Sequence, residues 1–210
     1  MATNNTHPAL PADFSFTFDP SVAAWNHPVA TYNQLNNKAW DGLLASAFVF
    51  HPVTNRFLLV QRAPHDSGAL RWEAPGGAVD REDPTILHGA CRELFEEAGL
   101  KAKHVKRAVS EGPDAAARYD NMSTAGGFTF TTRRGLVCCG WSFVVEVDLE
   151  EIEKGVTLDP NEHVDYVWAS EEEIREGRCG EKSIPLVRNV QMSRIMEAFR
   201  VRRENGEMAE

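Results

Sequence analysis

Four cysteines are all that the 210 residues contain, and none stands two residues away from another: Cys138 and Cys139 are adjacent, Cys91 and Cys179 isolated. That spacing excludes a Cys-x-x-Cys zinc or redox site and a disulfide-stapled scaffold, and fits reduced, intracellular thiols. Also missing is any apolar run of the roughly 20 residues needed to span a bilayer. Met1 to Pro20 lacks the basic start and apolar core of a secretion signal, so a cytoplasmic protein with no membrane partner is expected. Positive charge is scarce. Lysine and arginine number 22 against 31 acidic residues, a net charge of −9, which argues against nucleic acid as a partner gripped by bulk electrostatics. No internal repeat divides the chain. Its length suits one core, with residues 1–39 as an N-terminal extension, 40–203 as the domain and 204–210 as a flexible tail. The pattern does not decide the oligomeric state, and a homodimer is compatible with it.

What the chain does contain is one dense stretch, Ala74 to Leu100, reading APGGAVDREDPTILHGACRELFEEAGL. Pro75 ends whatever precedes it, and Gly76-Gly77 permits positive φ and close approach of the backbone to a ligand. Asp83-Pro84 reads as a helix N-cap followed by proline at the first helical position, so the helix is expected to begin at Pro84. Leu87, Cys91, Leu94 and Ala98 then recur at spacings of four, three and four as one buried stripe, with Gly99 as the stop. Glu93, Glu96 and Glu97 occupy another face at i, i+3 and i+4, within a rise of about 6 Å. Arg92 can pair with Glu96 at i+4, but one guanidinium does not neutralise three carboxylates. The excess suits hard divalent cations with oxygen ligands: Mg2+, with Mn2+ as a substitute. A Glu-rich face that is merely solvated is the ordinary alternative for an arbitrary helix, and the glycine turn beside this one favours metal.

Gly77, Arg92, Glu93, Leu94, Glu96, Glu97, Gly99 and Leu100 resemble the Nudix box: a glycine, a glutamate, then Arg-Glu-apolar-any-Glu-Glu-any-Gly-apolar. The second half matches at every fixed position. The first half holds one extra residue, which puts Ala78 and Pro84 where the family's glycine and glutamate fall and leaves Glu82 or Asp83 to stand in. The resemblance implies the Nudix fold, an α/β/α sandwich with a mixed β-sheet. It also implies Glu93, Glu96 and Glu97 as metal ligands, the Gly76 carbonyl oxygen as a further ligand, and Arg92 as the residue that orients the glutamates. Beyond the box, Arg62 closes a strand where family members often carry a basic residue, and is either a substrate-phosphate contact or a plain strand-end arginine. Glu162-His163 before a strand holding Trp168 looks like the Glu-His run that many Nudix proteins carry after the helix. Glu162 is accordingly an accessory base that reaches the metals or orients water, or else an exposed loop residue; His163 is read as a structural hydrogen-bonder.

Around this centre, Phe14, Phe16 and Phe18 alternate as an added edge strand would, and Ser21 to Asn37 reads as weakly helical with Trp25, Tyr32 and Leu35 facing inward. Leu43 to Phe50 and Arg56 to Arg62 read as a hairpin of central strands, and Phe128 to Thr132 with Leu136 to Val147 as a second. Gly112 to Gly127, aperiodic and glycine-containing, is a candidate substrate loop. Trp72 is assigned to the core, and Phe128, Phe130 and Trp141 to the core or to stacking on a base. Ser170 to Glu173 forms a capping box, Leu186 to Arg203 a last helix, and the polar tail from Arg202 frays.

Clustered carboxylates holding divalent ions beside a glycine turn suit attack of water on a phosphoanhydride. By resemblance the substrate is a small-molecule nucleotide, a nucleoside diphosphate linked to another group, cleaved to a nucleoside monophosphate and a phosphorylated remainder. Two rivals stand beside that pyrophosphohydrolase. A catalytically impaired Nudix-fold nucleotide-binding module is favoured by the irregular first half of the box and opposed by the presence of all three glutamates. An isoprenoid diphosphate isomerase is opposed by Cys138-Cys139, which lacks the Asn-Thr-Cys context of that group.

Overall fold

A computed structural model of the chain describes residues 9–110, 127–132, 134–187 and 189–207. The expected substrate loop lies outside the described residues except for Gly127. The chain runs β1 (Thr17–Phe18), a 3-10 turn (Pro20–Trp25), α1 (Val29–Leu35), β2 (Gly42–Val49), β3 (Phe57–Arg62), β4 (Trp72–Glu73), β5 (Gly76–Ala78) and α2 (Ile86–Ala98). It continues through β6 (His104–Val109), β7 (Phe128–Thr131), β8 (Val137–Glu146), α3 (Leu149–Glu153), β9 (His163–Ala169), α4 (Glu171–Glu176), β10 (Arg178–Cys179), β11 (Lys182–Ser183) and α5 (Asn189–Glu204).

The apolar strands are covered on both faces, which is why their sequences run almost without polar interruption. In β2, Leu43, Ala45, Ala47 and Val49 pack into one core and Phe48 into the other. In β8, Cys139, Trp141, Phe143 and Val145 face the first core and Val144 the second. The first core is covered by α2, with Trp25 of the 3-10 turn and Tyr32 of α1; the second by Ile174 of α4 and Ile195 and Phe199 of α5. Helices on both sides of sheet make an α/β/α sandwich. The larger sheet is mixed, in the order β1-β6-β8-β2-β5 with β7 also on β8; β1 with β6 and β2 with β8 are parallel pairs. A second, antiparallel sheet has the order β4-β3-β9. None of the described helices is long and apolar enough to cross a membrane.

Three local expectations are corrected. The first hairpin does not form: β2 pairs with β8 and β5, β3 with β4 and β9, and one isolated bridge, Phe50 with Phe57, joins them. Each strand is interior to its own sheet, so both of its edges are taken by other partners. Leu35 points outward, 65% exposed. The polar end packs back instead of fraying: Arg202 is buried, and Glu207 pairs with Arg107 and lies 3.3 Å from Lys106. The second hairpin forms in register from Phe128 opposite Gly140 to Thr131 opposite Val137, and Ser170 and Glu173 make both bonds of the capping box.

Candidate active site

β5 lies antiparallel to β2, and this pairing sets the glycine turn against α2. Gly76 has φ 152, and a Cβ there would stand 2.5 Å from the Ser46 Cα, so no other residue fits. Its N–H donates to Glu97 Oε2 at 2.7 Å, tying turn to helix. At Gly77 a Cβ would come within 2.8 Å of Glu93 Oε2; the missing side chain leaves the space the Glu93 carboxylate occupies.

α2 starts at Ile86, with Thr85 as N-cap accepting the His88 N–H at 3.0 Å, two residues later than Asp83-Pro84 implied. The physical reason is that the Asp83 carboxylate is engaged elsewhere. It accepts Arg92 Nε at 3.0 Å and Nη2 at 2.9 Å as a bidentate pair, and the Asp80 N–H at 2.8 Å, with His88 Nδ1 3.0 Å away. Arg92 also donates to Glu96 at 2.6 Å, to Glu93 at 3.0 Å and to the Ala78 carbonyl at 2.8 Å. Phe14 of the N-terminal segment packs edge-on against His88 at 5.3 Å, which closes this network from outside. Burial alone would raise the Asp83 pKa, but the hydrogen bonds from His88 and Arg92 overcome it and lower it to about 2. Of the two acidic residues before Pro84, Asp83 is thus the one bound to Arg92.

On the far side of the same helix the Arg62 guanidinium pairs with Glu73, while carboxylates gather around Glu97. Glu97, almost wholly buried, and Glu162 and His163 at the start of β9 bring one donor atom each to within 4.8 Å of one another. His163 Nδ1 lies 3.9 Å from Glu97 Oε1 and its Nε2 lies 3.6 Å from Glu73 Oε1; the ring is 2% exposed and neither nitrogen has a hydrogen-bond partner among the described residues. Burial, then the charges of Glu93 and Glu73, hold the Glu97 carboxyl well above the usual carboxylate range. Burial also drives Glu93 up; Arg92 opposes this and Glu96 and Glu162 add to it, leaving the group at about 7.

Of the residues singled out from sequence, Glu93, Glu97 and Glu162 converge, Gly76 touches Glu97, and Glu96 turns toward Arg92. Arg62 pairs through its guanidinium with Glu73 and Asp66, so it braces Glu73. Trp72 is core, its Nε1 donating to the Ser183 carbonyl at 3.1 Å. Glu73 was missed; the signal for it was a single charge in the otherwise apolar run Trp72-Glu73-Ala74-Pro75. A groove of about 490 Å³ is lined by Phe95, Glu96 and Gly99 on one wall and Thr157 to Asn161 on the other. The donor chemistry fits a divalent cation: carboxylate oxygens exceed the local positive charge, and a buried imidazole there lacks a partner among the described residues.

A family model described as NUDIX domain matches residues 43–189. Over 58 residues the chain is 38% identical to the RNA pyrophosphohydrolase of Rhizobium meliloti (strain 1021), a match covering 27% of this chain and 32% of that protein. The chain thus matches about a third of that relative's length. Among solved structures, the E. coli ORF135 protein superposes with TM-score 0.52 and 20% identity over 77% of this chain and 90% of that one. A C. elegans Ap4A hydrolase, in a binary complex, gives TM-score 0.51 and 15% identity over 78% of this chain and 98% of that one. At such identities these structures share the fold, the α/β/α sandwich with a mixed sheet described above.

Proposed function

The chain belongs to the NUDIX family, and on that premise we propose that it is a divalent-metal-dependent pyrophosphohydrolase acting on a nucleoside diphosphate linked to another moiety. One observation carries the proposal: mutually repelling carboxylates, Glu97 buried and Glu93 and Glu162 half-buried, gather beside a glycine turn that makes room for the Glu93 carboxylate and is tied to Glu97 through the Gly76 N–H. Glu93, Glu96 and Glu97, with the Gly76 carbonyl, would hold Mg2+ or Mn2+. Bound there, the ions neutralise phosphate oxygens and acidify water. Arg92 fixes the carboxylates of Glu93 and Glu96, and Asp83 in turn fixes Arg92. Glu162 takes the proton of the attacking water; the water oxygen bonds to phosphorus, and the anhydride P–O bond breaks with its electrons going to the departing phosphate. The groove beside Glu96 takes the part of the substrate beyond the phosphates.

The binding-module rival drew support from the irregular half of the box, and Asp83 clamping Arg92 removes that support. The isomerase needs a reactive cysteine. Cys139 is buried with its thiol pushed up to about 12, which speaks against that reading. The relative named RNA pyrophosphohydrolase brings RNA into the substrate panel, while the net charge of −9 favours small nucleotides; a cytoplasmic location follows from the same reading. The test is magnesium-dependent hydrolysis across nucleoside diphosphate derivatives, dinucleoside polyphosphates and short RNA, with products identified by mass and Glu96→Gln and Glu97→Gln run alongside. Turnover of one class, lost in both variants, supports the proposal. Metal-dependent nucleotide binding with no turnover would replace it with the binding module.

A further inference from the structure

We infer that His163 is itself a metal ligand, and that Glu97, Glu162 and His163 form a mixed nitrogen and oxygen position selecting Mn2+ or a neighbouring transition-metal dication over Mg2+. The inference rests on the hydrolase reading for the presence of ions and adds which ion this position takes.

A buried imidazole with both nitrogens unpartnered is costly, because the desolvation of each polar atom goes uncompensated. Among the described residues, His163 is in that condition at 2% exposure. Its surroundings give the two nitrogens different work. Nε2 faces Glu73 Oε1 at 3.6 Å, beyond hydrogen-bond reach, and Glu73 is anchored by Arg62, so the tautomer with its proton on Nε2 is the one that a fixed carboxylate favours electrostatically. That tautomer leaves the Nδ1 lone pair toward Glu97 Oε1, 3.9 Å away. The distance is too long for a hydrogen bond but lies within the span of about 4.2 Å that separates two ligands of one ion when each bond is about 2.1 Å. A carboxylate behind an imidazole that faces a cation position is the usual way a ligating histidine is oriented. Two carboxylates already stand at the position, and both of them repel Glu93. Mg2+ takes oxygen ligands almost exclusively, whereas Mn2+, Co2+ and Zn2+ accept imidazole. A nitrogen donor at this position therefore favours the latter group.

The test is pulsed electron paramagnetic resonance on the full chain loaded with Mn2+, with and without 15N-histidine, together with Mn2+ and Mg2+ binding isotherms for wild type and His163→Gln. Expected are a coupling to directly bound nitrogen that changes with the isotope, and a Mn2+ preference over Mg2+ of at least about tenfold. In His163→Gln, Mn2+ affinity drops about tenfold or more while Mg2+ affinity moves little. Bound Mn2+ without nitrogen coupling overturns this inference and leaves the hydrolase intact, as does an equal loss of both metals in His163→Gln, which marks a merely structural histidine. Failure of the wild type to bind either metal overturns both proposals. The spectrum of the wild type decides the matter even where the variant folds poorly.

Discussion

The two sides of α2 hold the same kind of residue in opposite electrostatic states. On the Arg92 side, Asp83 and Glu96 share a guanidinium that makes five hydrogen bonds to four residues, and the Asp83 pKa falls to about 2. On the Glu97 side, carboxylates from α2, β4 and the start of β9 crowd together, Arg62 pairs with Glu73, and burial followed by the charges of Glu93 and Glu73 raises the Glu97 pKa well above its usual range. Burial is the largest upward influence on Asp83, Glu93 and Glu97 alike; at Asp83 the hydrogen bonds from His88 and Arg92 overcome it, and at Glu97 the neighbouring carboxylates add to it. The first side is internally paired and positions Glu96; the second keeps an excess of carboxylate that a bound cation would offset. A carboxylate cluster marks a metal position where the protein has left the charge uncompensated.

The sharpest way to break this comparison is to swap one carboxylate on each side. Glu97→Gln should lower turnover roughly 100- to 1000-fold, the range for losing one charge-stabilising group, measured as kcat on whichever substrate the panel identifies. Gly76→Ala should cost about 3 kcal/mol, because the new methyl meets Ser46 and Ala45 backbone atoms; urea unfolding measures it. Asp83→Asn should cost about 2 kcal/mol of stability. Since the Asp83 pKa is depressed from 3.8 to about 2, its contribution is full above the upper value and disappears as pH falls toward the lower. The gap between wild type and Asp83→Asn should thus be constant at neutral pH and close in acid. Metal binding should release protons at pH 6 to 7, since Glu93 sits at about 7 without metal. Calorimetry in buffers of different ionisation enthalpy would detect this, and apparent Mg2+ affinity should rise with pH up to that value. The smallest effect belongs to Ser170→Ala, far from either side: about 1 kcal/mol for loss of the cap, with the metal response unchanged.

Much of this was legible in the chain. The stripe Leu87, Cys91, Leu94 and Ala98, the stop at Gly99 and the three glutamates follow from 3.6-residue periodicity, which the helix obeys. The partnership of Asp83 was half legible: an acidic residue before proline reads as an N-cap, and only the position of Arg92 on the next turn shows that the carboxylate serves the arginine instead. The failed hairpin of β2 and β3 came from reading adjacency as pairing; two strands interior to their sheets each have two neighbours, and the sequence does not say which. Glu73 and His163 were least legible as site residues, because their meeting with Glu97 joins β4, β9 and α2 across long stretches of chain and no local pattern encodes it. Arg62 misled for the same reason, since its partner Glu73 lies on the neighbouring strand.

The most direct measurement is thermal unfolding of wild type and Glu97→Gln near pH 7.5, with and without Mg2+. A carboxyl whose folded pKa is raised opposes folding as pH climbs past its unfolded value of 4.5, and a neutral amide removes that opposition while still accepting the Gly76 N–H. Without metal, Glu97→Gln should therefore melt above wild type, and Mg2+ should raise the Tm of wild type by several degrees but scarcely move the variant. If the variant melts below wild type without metal, and Mg2+ raises both equally, Glu97 is not part of an uncompensated metal position.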